Sequence, residues 1–222
     1  MQNQECIDIF EKYLRDDKKS SANTLSSYLR DIRQLGEYLD DHSEHGIIDA
    51  DEEDLSGYIA MLSSNGKSVA TVSRSIASIK CLYSYFCIKQ IIKTSPALGL
   101  VPEKSAQKLP QILTSKEVEL LLEQPQCVDA KGFRDHAMLE LLYATGIRVS
   151  ELISLNLGDF NAAGGFIRCE SRGKERMIPL YHTAIKAIQD YVKNVRPPLI
   201  SDSSEEARFV NMNGERMRRQ GF

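Results

Sequence analysis

Apolar residues recur at steps of three and four positions through the first part of the chain, and amphipathic helices require this period. The pattern separates into four segments, at roughly residues 4–15, 21–39, 52–62 and 68–89. The connections between them are short and contain polar residues or glycine. Four amphipathic helices with short connections predict a compact helical domain.

Polar residues indicate where these helices begin. Ser20 or Ser21 is a suitable N-cap for the second helix, because a serine side chain accepts a hydrogen bond from a free amide of the first turn. Asp49 with Glu52 has the spacing of a capping box at the start of the third helix.

A second domain follows a linker. Residues 104–113 combine proline and lysine without an apolar period, which is typical of an exposed connection between domains. Thr114 with Glu117 forms a capping box that opens the next domain. The elements predicted there are helices at 115–123, 131–143, 149–155 and 181–195, and strands at 166–169, 176–180 and 208–211. The predicted fold is therefore mainly α with a small antiparallel β-sheet, in domains 1–103 and 114–222.

Composition excludes several classes of protein. Hydrophobic residues make up 42% of the chain, too many for a disordered one. No apolar run approaches the roughly 18–20 residues that cross a bilayer, so no membrane partner is predicted. The five cysteines are odd in number and form no Cys-x-x-Cys pair, which argues against a disulfide scaffold and a zinc site and favours the cytoplasm.

The net charge of −3 argues against a polyanionic partner, but the charge is unevenly distributed. Residues 1–64 carry a net charge of −9, residues 65–116 carry +7, and residues 117–222 carry −1. A polyanion responds to the local field, so the middle block is a candidate binding surface. An ordinary solvated basic face is the alternative.

Two helices carry polar stripes that could face a phosphate backbone. Small side chains allow close approach and the cations between them anchor phosphates. The alternative is that these positions simply face solvent. The stripes consist of Asn23, Ser27 and Arg30 on the second helix, and Lys67, Thr71, Arg74 and Ser78 on the fourth.

Residues 141–152, with the sequence LLYATGIRVSEL, closely resemble the first active-site box of the tyrosine site-specific recombinases, and in particular the Xer type and related integrases. The alternative for this segment alone is a helix–glycine–helix corner in which Arg148 pairs with Glu151. Further segments resemble the family in the same order: Asn23-Thr24-Leu25-x-x-Tyr28, Ser95-Pro96-Ala97, Leu109-Pro110-x-x-Leu113-Thr114 and Arg134-Asp135. The resemblance implies a SAM-like core-binding domain of four helices that precedes the first part of a catalytic domain.

Arg148 has the chemistry of a phosphate ligand. After the break at Gly146 a new helix begins beside it, and a guanidinium there can bind two phosphate oxygens, helped by the amides of the helix start. Phosphoryl transfer needs such a positive charge at the non-bridging oxygens. The resemblance implies that Glu151 orients Arg148 or its neighbours.

A second box is expected at a β-hairpin, where the family has a lysine that donates a proton to the leaving 5′-oxygen. The turn here is one residue shorter than the usual form, so that Arg172 or Lys174 can be aligned with this lysine. Arginine hardly releases its proton, whereas lysine can. Lys174 is therefore the predicted catalytic residue and Arg172 the alternate. A hairpin that only contacts DNA backbone is the alternative for both.

The resemblance also implies residues that are not found here. None of the four histidines is followed three residues later by arginine, so the His-x-x-Arg box is missing, and no tyrosine is assigned as nucleophile. Arg218 and Arg219 resemble the basic lead-in to that box and are candidate DNA contacts. The expectation is a truncated recombinase that binds DNA without cleaving it.

The implied activity of the full-length protein is strand cleavage and rejoining through a 3′-phosphotyrosyl intermediate, in chromosome-dimer resolution or mobile-element integration. The expected partners are double-stranded DNA and three further recombinase protomers. No metal, ATP or other cofactor is expected. A non-catalytic integrase-like accessory protein and a helical protein-interaction module remain alternatives.

Overall fold

The computed structural model describes residues 2–103, 111–171 and 173–222. By its internal contacts the chain divides into a first unit, residues 1–109, and a second unit, residues 110–222. Most of the predicted linker, residues 104–110, lies outside the described residues, so the domain boundaries stay a prediction. Among the described residues, no helix combines the length and the apolar character that a membrane crossing requires.

The described residues of the first unit form four helices, as the apolar period predicted. A π-helical turn, Tyr13–Asp17, extends the first helix. The helices are α1 (Asn3–Lys12), α2 (Ala22–His42), α3 (Glu52–Ser64) and α4 (Val69–Ile88). Their apolar faces enclose one core, to which every helix contributes fully buried side chains.

The N-cap of α2 agrees with the sequence prediction and that of α3 does not. The Ser21 side chain accepts a hydrogen bond from the Thr24 amide, at 3.2 Å. At α3 the capping box is formed by Asp51 and Asp54, whose side chains each accept the other's amide. The predicted pair of Asp49 with Glu52 was wrong because residues 47–49 form a turn before the helix.

A buried carboxylate joins α2 to α4. The side chain of Asp31 is 4% exposed and accepts two hydrogen bonds from the Arg74 guanidinium, at 3.0 Å from Nε and 2.8 Å from Nη2. The Ser78 hydroxyl donates to the same carboxylate at 3.3 Å. The prediction that Ser78 lies on an exposed stripe was therefore wrong: α2 covers this part of α4, and Ser78 is fully buried.

The second unit is mostly helical with one small sheet. Its sheet is antiparallel throughout, in the order β1-β2-β3. The elements are α5 (Ser115–Leu122), α6 (Ala130–Thr145), α7 (Val149–Ser154), β1 (Phe160–Asn161), β2 (Phe166–Ser171), β3 (Lys174–Pro179) and α8 (His182–Asp190), with a π-helical turn, Tyr191–Val195, after α8. The predicted fold class, mainly α with a small antiparallel sheet, is confirmed.

The strand predictions were less accurate than the helix predictions. β1 was missed, since two residues are too few to show a period, and the β2–β3 turn is tighter than predicted. The strand expected at 208–211 is wrong, because this segment makes one isolated bridge, between Val210 and Arg216, and the preceding residue Ala207 makes another with Asn156. Arg208, the first residue of the segment, is buried, and its guanidinium donates to the carbonyls of Asn156 and Leu157.

The Asp31–Arg74 pair predicts an asymmetric effect on stability. Arg74→Met should lower the free energy of unfolding by about 3 kcal/mol, because it leaves a buried carboxylate without its cation. Asp31→Asn should cost only about 1 kcal/mol, because the arginine left behind is 39% exposed and can be hydrated. Urea unfolding of the full chain, followed by circular dichroism, measures both changes.

The matched control for this experiment is Arg33→Met, since Arg33 lies exposed on α2. Its effect should stay within about 0.5 kcal/mol. Equal losses from Arg74→Met and Asp31→Asn would contradict the assignment.

Candidate active site

Gly146 ends α6 and sets the direction of the chain into the predicted site. It has φ of 60° and ψ of 22°, in the left-handed region where a side chain is strained, and its amide donates to the Leu142 carbonyl at 2.8 Å. α7 begins three residues later, with Arg148 at the N-cap position. The glycine break predicted from the sequence is confirmed.

Glu151 fixes the backbone at Arg148. Its Oε2 accepts the Arg148 amide at 2.7 Å, and its Oε1 lies 3.5 Å from Arg148 Nη1. The Glu151 side chain is 5% exposed, whereas that of Arg148 is 72% exposed. The guanidinium is therefore open to a ligand, while the Arg148 amide is occupied by Glu151 and is not available to bind an anion.

The surroundings of Glu151 favour its ionised form. The pKa of the Glu151 carboxyl is lowered, mainly by the hydrogen bond from the Arg148 amide. The hydrogen bond from the Arg176 guanidinium and the charges of both arginines lower it further, whereas burial acts in the opposite direction. At neutral pH the site therefore holds one buried negative charge between two guanidinium groups.

The β2–β3 hairpin brings a second cation to this carboxylate. Arg176 Nη2 donates to Glu151 Oε2 at 3.0 Å. In β3, residues 174, 176 and 178 pair with 171, 169 and 167 of β2, two of which are buried core residues. Side chains alternate between the faces of a strand, so Lys174 shares with Arg176 the hairpin face that meets α7, roughly 7 Å further along.

The structure therefore brings Arg148, Glu151 and the Lys174 face of the hairpin to one side of the second unit. Lys174 is exposed at the first position of β3. Arg172, the alternate to Lys174, lies outside the described residues. The roles of Arg148, Glu151 and Lys174 stay predictions.

Arg176 was missed as a site residue. The only hint in the sequence is that Arg176 lies two residues from Lys174, so that in a strand both would lie on one face. The burial of Glu151 and the register of the hairpin, which bring Arg176 to the carboxylate, are known only from the structure.

The residues of the first unit that are predicted to contact DNA differ in their exposure to solvent. Asn23, Arg30 and Lys67 are exposed, and Ser27 is half-buried. The half-buried Thr71 lies 3.0 Å from the hydroxyl of Ser68, the N-cap of α4. Arg74 is held by Asp31 and Ser78 is buried, as described above. In the second unit, Arg218 and Arg219 are both exposed.

One cluster of the described residues has the composition of a cation site. A ligand atom from each of His45, Asp51 and Asp54 lies within 4.8 Å of the others. The two carboxylates form the capping box of α3, and Asp54 also binds His45 at 2.8 Å. Helix capping accounts for this cluster.

The sequences of both units match known protein families. Residues 7–90 match the N-terminal SAM-like domain of phage integrases, and residues 111–222 match the Phage integrase family. The chain belongs to the phage integrase family. The SAM-like assignment of the first unit, predicted from its motifs, is confirmed.

The relatives of the chain are tyrosine recombinases. It is 42% identical to tyrosine recombinase XerD of Oceanobacillus iheyensis, over 97% of this chain and 73% of the relative. It is 34% identical to XerD of Staphylococcus epidermidis, over 97% of this chain and 74% of the relative. The fold is similar to the Tn1549 transposon integrase in complex with circular intermediate DNA, with a TM-score of 0.76, at 21% identity, over 100% of this chain and 75% of that one.

Glu151 both caps α7, by accepting the Arg148 amide, and carries the charge that binds Arg176, and two substitutions should separate these roles. Glu151→Ala should lower the free energy of unfolding by about 2 kcal/mol, because the Arg148 amide loses its acceptor and the packing is lost. Glu151→Gln should cost less than about 1 kcal/mol, since glutamine also completes a capping box. Chemical denaturation of the full chain measures both.

Glu170→Ala is the control on the same unit. Glu170 lies exposed and directly opposite Glu175 across the hairpin, where like charges repel. Its removal should be neutral within about 0.5 kcal/mol or slightly stabilising. A Gln variant of Glu151 as unstable as the Ala variant would exclude the capping role.

Proposed function

We propose that the chain binds duplex DNA in the manner of an Xer-type tyrosine recombinase and engages a backbone phosphate through Arg148. The observation that carries the proposal is the Arg148 guanidinium, 72% exposed on a backbone that the buried Glu151 holds in place. Arginine binds phosphate oxygens in a bidentate manner and keeps its charge at every physiological pH. This combination suits the stabilisation of charge on a transferring phosphoryl group.

In the mechanism proposed for the full-length protein, a tyrosine that is not assigned among these 222 residues attacks the phosphate to give a 3′-phosphotyrosyl link and a free 5′-hydroxyl. Arg148 stabilises the non-bridging oxygens. Lys174 donates a proton to the leaving 5′-oxygen, with Arg172 as the alternate. The location of Lys174 on the hairpin face that meets α7 supports its assignment.

The first unit supplies further phosphate contacts in this proposal. Asn23, Ser27 and Arg30 on α2, Thr71 in the first turn of α4, and Lys67, which precedes the N-cap of α4, carry groups that donate hydrogen bonds to phosphate oxygens. Arg218 and Arg219 add positive charge in the second unit. Four protomers would assemble on DNA to exchange strands, and the cytoplasm is the proposed location because the DNA substrate lies there.

The proposal predicts salt-dependent binding of duplex DNA. The association constant should fall with salt concentration, with a logarithmic slope of about −0.9 for each phosphate contact. Arg30→Gln and Lys67→Gln should each weaken binding and reduce the steepness of this slope by about 1. Fluorescence anisotropy at several salt concentrations measures both quantities.

Lys12→Gln is the matched control, because Lys12 is exposed on α1 and outside the predicted stripes. It should change the slope much less. Binding that is absent, or independent of salt, would instead favour a helical protein-interaction module, to which the −9 charge of residues 1–64 is suited.

We further propose that these 222 residues bind DNA without cleaving it, since no His-x-x-Arg sequence occurs among them. A nicked duplex, which traps covalent intermediates, should yield no protein–DNA adduct on a denaturing gel. A recombinase of known activity run on its own nicked site serves as the positive control. An adduct formed by this chain would contradict the proposal and call for a search for its nucleophile.

A further inference from the structure

Glu151 has two cationic neighbours, and it binds them unequally. Arg176 Nη2 lies 3.0 Å from Oε2, within ordinary hydrogen-bond distance, whereas Arg148 Nη1 lies 3.5 Å from Oε1, at its limit. Oε2 also accepts the Arg148 amide at 2.7 Å. The stronger partners of the carboxylate are therefore the backbone of Arg148 and the side chain of Arg176.

The exposure of Glu151, Arg148 and Arg176 also indicates that Arg176 is the main counter-charge of the carboxylate. The carboxylate is 5% exposed and needs a counter-charge, and Arg176 is itself 44% exposed at the edge of the hairpin. A buried carboxylate without Arg176 would draw the second cation that contacts it among the described residues, the guanidinium of Arg148. Arg148 would then be paired with a carboxylate and would lose much of its attraction for a phosphate.

We propose that Arg176 is a positioning residue that occupies the Glu151 carboxylate and so leaves the Arg148 guanidinium free for a phosphate. This inference rests on the proposed function where it concerns DNA. Its first part, the competition of two arginines for one carboxylate, concerns this chain alone and can be measured without DNA.

Strand alternation gives the inference a matched control. Arg168 lies on the same hairpin but on its other face, where Nε and Nη2 bind Asp159 at 3.1 and 2.9 Å. Arg168→Gln therefore removes a positive charge of the same kind, from the same sheet, without touching Glu151.

The first measurement is the rate at which phenylglyoxal modifies Arg148, followed by mass spectrometry of the peptide that contains it. This reagent attacks exposed guanidinium groups. In Arg176→Gln the rate should fall about fivefold, as expected when a partly exposed ion pair forms. Arg176→Lys, which keeps the charge, and Arg168→Gln should both retain the rate of the unmodified protein.

The decisive variant is the double substitution Arg176→Gln with Glu151→Gln. Glutamine retains the capping box but carries no charge to hold Arg148. The double variant should regain the reactivity of Arg148, which a defect in folding would not allow. An unchanged rate in Arg176→Gln, or a reduced rate that Glu151→Gln fails to restore, would overturn the inference.

The second measurement is duplex affinity, which should fall about fivefold in Arg176→Gln and return in the double variant. A loss of affinity that the second substitution does not restore also overturns the inference, because it assigns Arg176 a direct contact with DNA. If the unmodified chain binds no DNA, the proposed function fails, while the phenylglyoxal rates still decide whether Arg176 releases Arg148.

Discussion

A carboxylate that is nearly excluded from water has to be saturated with hydrogen-bond donors, and this requirement organises the second unit. Glu151 obtains its donors from two elements that are distant in sequence, the amide of Arg148 at the start of α7 and the guanidinium of Arg176 on β3. The contact therefore ties the corner after Gly146 to the hairpin. A shift of either element would leave a buried charge without partners, which is among the most costly changes a fold can undergo.

The first unit also contains a buried carboxylate that binds an arginine, but there the arginine is held by the carboxylate and is not left open to a ligand. Asp31 is as deeply buried as Glu151, but it binds Arg74 through both Nε and Nη2. Arg74 thus joins α2 to α4, and the Nε and Nη2 atoms of its guanidinium are already bound to Asp31. The Arg148 guanidinium is 72% exposed, and its neighbouring carboxylate is bound by a second arginine, Arg176. Two arginines that look equivalent in the sequence consequently differ in what they can offer to a ligand.

The sequence was sufficient for those features that depend on neighbours along the chain. Apolar periods located the helices, Ser21 and the Thr114–Glu117 box marked two starts, and Gly146 marked the break before α7. Pairings between distant segments could not be predicted in this way. Ser78 lies on a polar stripe of its own helix and is buried only because α2 covers it. The segment at 208–211 has the apolar pattern of a strand, but among the described residues it finds no neighbouring strand and makes one isolated bridge.

The identity of the lysine in the hairpin shows how one residue of turn length decides a functional assignment. With Ser171 opposite Lys174, and Gly173 in the turn at φ of 73°, Lys174 and Arg176 lie on the face that meets α7. Glu170 and Glu175 lie on the other face. A turn longer by one residue would exchange the two faces of β3, since the period of a strand is two. Arg176 could then no longer reach Glu151, and the two carboxylates would not share a face. The Arg176–Glu151 contact therefore agrees with the register on which the assignment of Lys174 depends.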